Sequence, residues 1–210
     1  MRLRKVKNAL LKINQSPYFY SKDKFAKFTK KQLVLELGCG KGTFLIKEAQ
    51  KNNNFLFIGI EREPTIVLKA INKINKLDFN LENILLLCTD AKQLDDYFQA
   101  ESVQKIFINF PDPWPKKRHI QRRLTSPDFL KLFWNLLVKN GLIEFKTDND
   151  KLFEYTLTTL QENSQIFEII HQITDLNNSE FSFQNSITEY EQRFMELEIP
   201  IKKLVIKKII

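Results

Sequence analysis

The chain is poor in the residues that build metal-held or disulfide-held folds. It has two cysteines, Cys39 and Cys88, and two histidines, His119 and His171. So few, so scattered, they make no convincing zinc site and no disulfide framework, and no metal is expected. Free cysteines fit a reducing cytoplasm. Long apolar runs are missing as well. None approaches the roughly 18 residues that a membrane span needs. The N-terminal MRLRKVKNALLKINQ is basic, but Lys12 interrupts its apolar part and no small-residue cleavage site follows, so it does not read as a signal peptide. Arginine is scarce too, seven against 26 lysines. Five of the seven fall in two clusters, Arg2 with Arg4 and Arg118 with Arg122 and Arg123. A general richness in lysine accounts for the formal charge of +8 but not for where the arginines stand. The guanidinium is a planar fork that matches phosphate bidentately. A polyanionic partner, nucleic acid, is the expectation.

What is present is an ordinary globular composition, 43% hydrophobic and 28% charged over 210 residues. That is enough chain for one domain with a large core. Residues 1–31 read as a basic arm with at most a short helix, and residues 32–210 as a single domain. Apolar strands are expected at 33–37, 55–60, 84–88, 103–110, 142–146, 167–173 and 199–210. Helices are expected between them: from Thr43, from Pro64 as a first-turn residue, from the Ser126-Pro127 start to Gly141, and from a cap at Asp148 or Asp150. His171 sits in an apolar strand and reads as a core residue. Strands alternating with helices give an α/β fold, a mostly parallel sheet with helices on both faces. In such sheets ligands sit beyond the carboxyl ends of the strands. The polar residues Glu36 to Gly42, Glu61, Asp90, Asn109 to Asp112 and Thr147-Asp148 all fall at those ends.

Two of these ends carry the chemistry. The first is Glu36-Leu37-Gly38-Cys39-Gly40-Lys41-Gly42, a tight glycine turn between strand and helix. Glycine there lets backbone approach a ligand with no Cβ in the way. The spacing departs from the dinucleotide fingerprint G-x-G-x-x-G, because the third glycine comes one residue early. Glu61 ends the second strand, where an acid accepts from ribose hydroxyls. Asp90 ends the third, where it could accept from an adenine amine. Together they favour an adenosyl ligand, S-adenosylmethionine over NAD. The second is Asn109 to Arg123, NFPDPWPKKRHIQRR. Three prolines in five positions fix φ and remove three backbone donors. The chain therefore leaves its strand as a stiff hook displaying Asp112 and Trp114, followed at once by the basic run. Trp114 either packs against the prolines or stacks on a base.

Taken in order, VLELGCGKG, FIGIE, TDA, NFPDPWPKKRH, FKTDN and TEYE resemble the bacterial tRNA (guanine-N7-)-methyltransferase family, the TrmB family, over nearly the whole chain. The resemblance implies a Rossmann-like class I methyltransferase sheet of seven strands with an antiparallel last strand. It implies transfer of a methyl group from S-adenosyl-L-methionine to guanine N7 in the variable loop of tRNA. Glu36, Gly38, Gly40, Glu61, Asp90 and Asp112 would hold the donor or shape its pocket, and Asp112 would be catalytic. Lys116, Asp148, Thr188, Glu189, Tyr190 and Glu191 would contact substrate, and Arg118, His119, Ile120, Gln121, Arg122 and Arg123 would touch RNA. The partner would be tRNA, with no membrane, and the protein a monomer or homodimer. One departure stands out: after TEYE the chain reads MELEIPI, without the glycine expected there.

Guanine N7 is a lone-pair acceptor at neutral pH, so no base is needed before attack. Catalysis then rests on positioning and electrostatics, with Asp112 stabilising the cationic purine or accepting a guanine N–H. Asp148, unless it is simply a helix cap, and Glu191 are alternative acceptors. Two rival readings remain, a non-catalytic RNA-binding module with a cofactor pocket and a methyltransferase acting on an exocyclic amine.

Overall fold

A computed structural model describes residues 4–21, 25, 32–182 and 185–209. Arg2, much of the expected arm and the last residue of the expected final strand lie outside the described residues. The chain divides into two compact units, Met1–Leu94 and Asp95–Ile210.

The first unit runs α1 (Ala9–Asn14), β1 (Gln32–Leu37), α2 (Thr43–Lys51), β2 (Phe55–Ile60), α3 (Pro64–Ile74) and β3 (Ile84–Leu87). The strands pair in parallel, β1 with β2 and β2 with β3. Their runs of Leu, Ile, Val and Phe are buried on both faces, as parallel strands between helices require. Gly59 in β2 is needed for this packing. A Cβ there would meet Cys39 Sγ and Leu45 Cδ2 at 2.7 Å. Glu63 caps α3, its side chain accepting from the Thr65 amide ahead of Pro64. The described part of the N-terminal segment is tied down within this unit. Ile13 is fully buried, and the Val6 amide donates to Thr65 Oγ1 at 3.1 Å. Tyr20 N donates to Leu86 O at 2.8 Å and Leu86 N to Tyr18 O at 2.7 Å, so residues 18–20 pair along β3.

The second unit runs β4 (Val103–Asn109), α4 (Pro127–Leu136), β5 (Leu137–Thr147), α5 (Asp150–Glu162), β6 (Phe167–Ile173), α6 (Glu189–Glu196) and β7 (Lys202–Lys208). Strand β4 pairs with β5 in parallel, whereas β7 is antiparallel to both β5 and β6. The seven strands form a mostly parallel sheet in the order β3-β2-β1-β4-β5-β7-β6, with the antiparallel last strand expected. No helix among the described residues is long and apolar enough to cross a membrane.

Four local expectations are corrected. Helix α4 stops at Leu136, not at Gly141, and β5 begins at once at Leu137. Gly141 instead serves an irregularity in the β4–β5 pairing, where a Cβ would meet Val138 O at 2.9 Å and Gln104 O at 3.2 Å. Neither Asp148 nor Asp150 caps α5. Asn149 does, its side chain accepting from Leu152 N at 2.9 Å. Phe110 lies outside β4 and adopts φ 49°. His171 is exposed rather than core, because β6 ends the sheet order and only Phe167 and Ile173 of that strand are buried. Its ring lies 4.8 Å from that of Phe181.

Candidate active site

In the first unit, Glu36, Glu61 and Asp90 stand at or just beyond the carboxyl ends of β1, β2 and β3. Parallel pairing brings the ends of these strands, distant in the chain, to one edge of the sheet. The glycine turn is anchored on β2: the amides of Gly38 and Cys39 donate to Ile60 O at 2.8 and 3.1 Å. Gly38, Gly40 and Gly42 all take positive φ, 70°, 56° and 75°. A Cβ on Gly38 would meet nothing within 4 Å. The turn is therefore glycine for its left-handed backbone, and it leaves an open face. Gly42 is also the N-cap of α2, with no acidic side chain in the first turn to occupy its amides.

Glu36 is buried at 3% exposure, Glu61 is half-buried and Asp90 is exposed. Glu61 Oε1 accepts from Glu63 N at 3.0 Å and Asp90 Oδ1 from Lys92 N at 3.0 Å, which fixes both carboxylates in place. Both nearby thiols are shifted away from the thiolate form. Burial, with Glu36 and Glu61 adding to it, pushes Cys39 well above its ordinary value. Burial, then Glu61 and Glu63, pushes Cys88 up to about 11. Among the described residues no cluster of His, Cys, Asp and Glu could hold a metal ion.

In the second unit the chain leaves β4 through the hook. Phe110 and Trp114 both take positive φ, 49° and 42°, a strained backbone for aromatic residues. The hook is fastened at each end. Phe110 N donates to Lys146 O at 2.9 Å, and its ring stacks against Tyr190 and Phe194 of α6, with centroids 6.3 and 5.8 Å away. At the other end Arg123 donates through Nε to Pro113 O and through Nη2 to Trp114 O, at 3.0 and 3.1 Å. Between these anchors Asp112 is exposed. The Trp114 ring is engaged by the Arg122 guanidinium, 4.9 Å from its centroid, and by the edge of His119. A short 3₁₀ turn over Lys117–Arg122 exposes Lys117, Arg118, Gln121 and Arg122, while His119 and Ile120 are half-buried.

The segment before α6 is organised by Lys146 and Glu191, buried at 3% and 0% side-chain exposure and 2.8 Å apart. Lys146 also donates to Asn185 Oδ1 at 3.0 Å and Ser186 O at 3.3 Å. Glu191 accepts from Asn185 and from Thr188 N, and closes a capping box with Thr188. Burial lowers the Lys146 pKa, and Glu191 opposes that shift. Thr188 and Glu191 thus face inward, while Glu189 and Tyr190 are exposed, Tyr190 at 66%. Lys116 is exposed and Asp148 half-buried. Sequence reasoning missed Lys146 altogether. Its signal was a lysine set between Phe145 and Thr147 at the buried end of β5, where a charge demands a buried partner.

The missing glycine has a counterpart. Glu198, in MELEIPI, adopts φ 55°. A non-glycine residue carries a left-handed backbone there.

The chain matches the family model described as "Putative methyltransferase" over residues 30–204. It is 56% identical to the tRNA (guanine-N(7)-)-methyltransferase of Mycoplasma pneumoniae over 209 residues, covering 100% of both chains. It is 43% identical to the protein of that name from Mycoplasmopsis pulmonis, covering 94% of each. Among solved structures it is similar to the 16S rRNA methyltransferase KamB, with a TM-score of 0.68, 14% identity and coverage of 91% of this chain and 95% of the other. At that identity the likeness shows the class I methyltransferase sheet alone. The chain belongs to the tRNA (guanine-N(7)-)-methyltransferase family.

Proposed function

We propose that this enzyme transfers a methyl group from S-adenosyl-L-methionine to N7 of a guanosine in tRNA, in the cytoplasm. The observation that carries this reading is the 56% identity extending over the full length of both chains. Fold likeness would leave the substrate open.

The carboxyl ends of the first unit's strands suit the donor. The positive-φ turn at 38–42 presents backbone without obstruction, and Gly38 leaves room where a side chain would stand. Glu61 accepts from the ribose hydroxyls, Asp90 from the adenine amine, and Glu36 with Gly38 and Gly40 shapes the floor. S-adenosyl-L-methionine supplies an activated methyl group on a sulfonium. The guanine supplies the N7 lone pair, so no side chain has to remove a proton first. Positive charge passes to the purine as the methyl arrives. Asp112, exposed on a hook whose backbone is held at both ends, stabilises that charge or accepts a guanine N–H at little reorganisation cost. Lys116, Asp148 and the exposed Glu189 and Tyr190 contact substrate. Glu191 and Thr188 hold that segment in shape, since the Glu191 carboxylate is taken up by Lys146, Asn185 and Thr188 N. Arg118, His119, Ile120, Gln121 and Arg122 form the RNA-facing run.

The test is incubation of unmodified tRNA with methyl-labelled donor. Label in the RNA is expected. Stabilisation of the protein by the donor with no label transferred would favour a non-catalytic RNA-binding module instead.

A further inference from the structure

Arg123 stands in the basic run, yet its guanidinium turns back onto its own chain. Two of its nitrogens donate to consecutive carbonyls, Pro113 O at 3.0 Å and Trp114 O at 3.1 Å. The same group lies 4.3 Å from the centroid of Tyr155 on α5. Three features make this a fastening rather than a passing contact. The two acceptors follow directly on Asp112. Trp114 is held at φ 42°, a conformation that persists only when its surroundings enforce it. And three prolines have removed the donors by which the hook could pin itself, so an external fork of donors is the available fix. Arg122, its neighbour, behaves differently: it is exposed and its guanidinium lies over the face of the Trp114 ring.

We propose that Arg123 is a positioning residue that clamps the Pro113–Trp114 backbone to α5 and thereby fixes Asp112, rather than a ligand for tRNA phosphate. This rests on the reading of Asp112 given above. The clamp itself can be measured without turnover.

The experiment compares Arg123→Lys, Arg123→Gln and Arg122→Gln, with tRNA kinetics across a salt series and acrylamide quenching of Trp114 in a Trp134→Phe background, where Trp114 is the single tryptophan. Lysine keeps the charge but loses the planar fork. A clamp therefore predicts that both Arg123 variants lower kcat, on the order of 10- to 100-fold for Arg123→Gln, with KM for tRNA and its salt slope close to wild type. It also predicts that Trp114 becomes more accessible to quencher in both. Arg122→Gln should raise KM and lower the salt slope instead. Normal kcat in Arg123→Lys with a raised KM in Arg123→Gln would make Arg123 a phosphate contact and overturn the proposal. So would unchanged quenching of Trp114. If the wild-type enzyme methylated no tRNA, the functional reading would fall, and quenching would still decide on the clamp.

Discussion

Lys146 and Glu191 form an ion pair at 2.8 Å with neither side chain appreciably exposed to water. The two come from β5 and α6, and around them Asn185, Ser186 and Thr188 satisfy the remaining donors and acceptors. Glu191→Ala would leave the Lys146 charge buried without its counter-ion. A loss of about 3–5 kcal/mol in urea unfolding is expected, because breaking one half of a buried pair strands the other. Replacing both, Lys146→Met with Glu191→Leu, should recover much of that loss. Activity should fall in both, since Glu189 and Tyr190 are carried by the same cap. Equal stability of the single and double variants would count against the pair as the organiser.

Glu144 lies between Lys105 and Lys203, 2.8 and 2.7 Å away. Burial opposes its ionisation, but the two lysines outweigh burial and lower its pKa to about 2. The sign follows from the lowered value. The stabilisation is complete above the unfolded carboxylate pKa of ~4.3 and fades as pH falls from about 5 toward about 2. It amounts to at most about 3 kcal/mol. Glu144→Gln should therefore flatten that part of the stability–pH curve, with little effect on its shape above pH 6. An acid limb identical to wild type would exclude Glu144 as a contributor.

Asp112 is exposed and buries no apolar surface, so Asp112→Asn should leave the melting temperature within a few degrees of wild type. Its kcat should fall by on the order of 10²–10³, the usual cost of removing one preorganised electrostatic partner. Near-normal turnover would remove Asp112 from the chemistry.

Glu198 holds φ 55° where glycine would sit without strain. Glu198→Gly should raise stability by roughly 0.5–1 kcal/mol and leave methyl transfer unchanged. A destabilised variant would mean that the Glu198 side chain contributes something beyond its backbone geometry.

These outcomes also mark what could be read from residues alone. The three carboxylates of the first unit were legible because parallel strands end at a common edge, and each strand announced its own end. The glycine turn was legible from its positive-φ requirement. The roles of Lys146 and Arg123 were not, because each depends on a partner 45 or 10 residues away whose approach only tertiary structure defines. Gly141 misled for a related reason. A glycine after a helical pattern is usually a cap, and here a close crossing of β4 and β5 backbone claims it instead. His171 misled because an apolar strand reads the same at the edge of a sheet as in its middle.

The identity of the methylated nucleoside bears most directly on the central claim. Unmodified tRNA treated with this enzyme and S-adenosyl-L-methionine, digested to nucleosides and separated with standards, should yield 7-methylguanosine as the single methylated product. A product methylated on an exocyclic amine, or no methylated nucleoside at all, would contradict it.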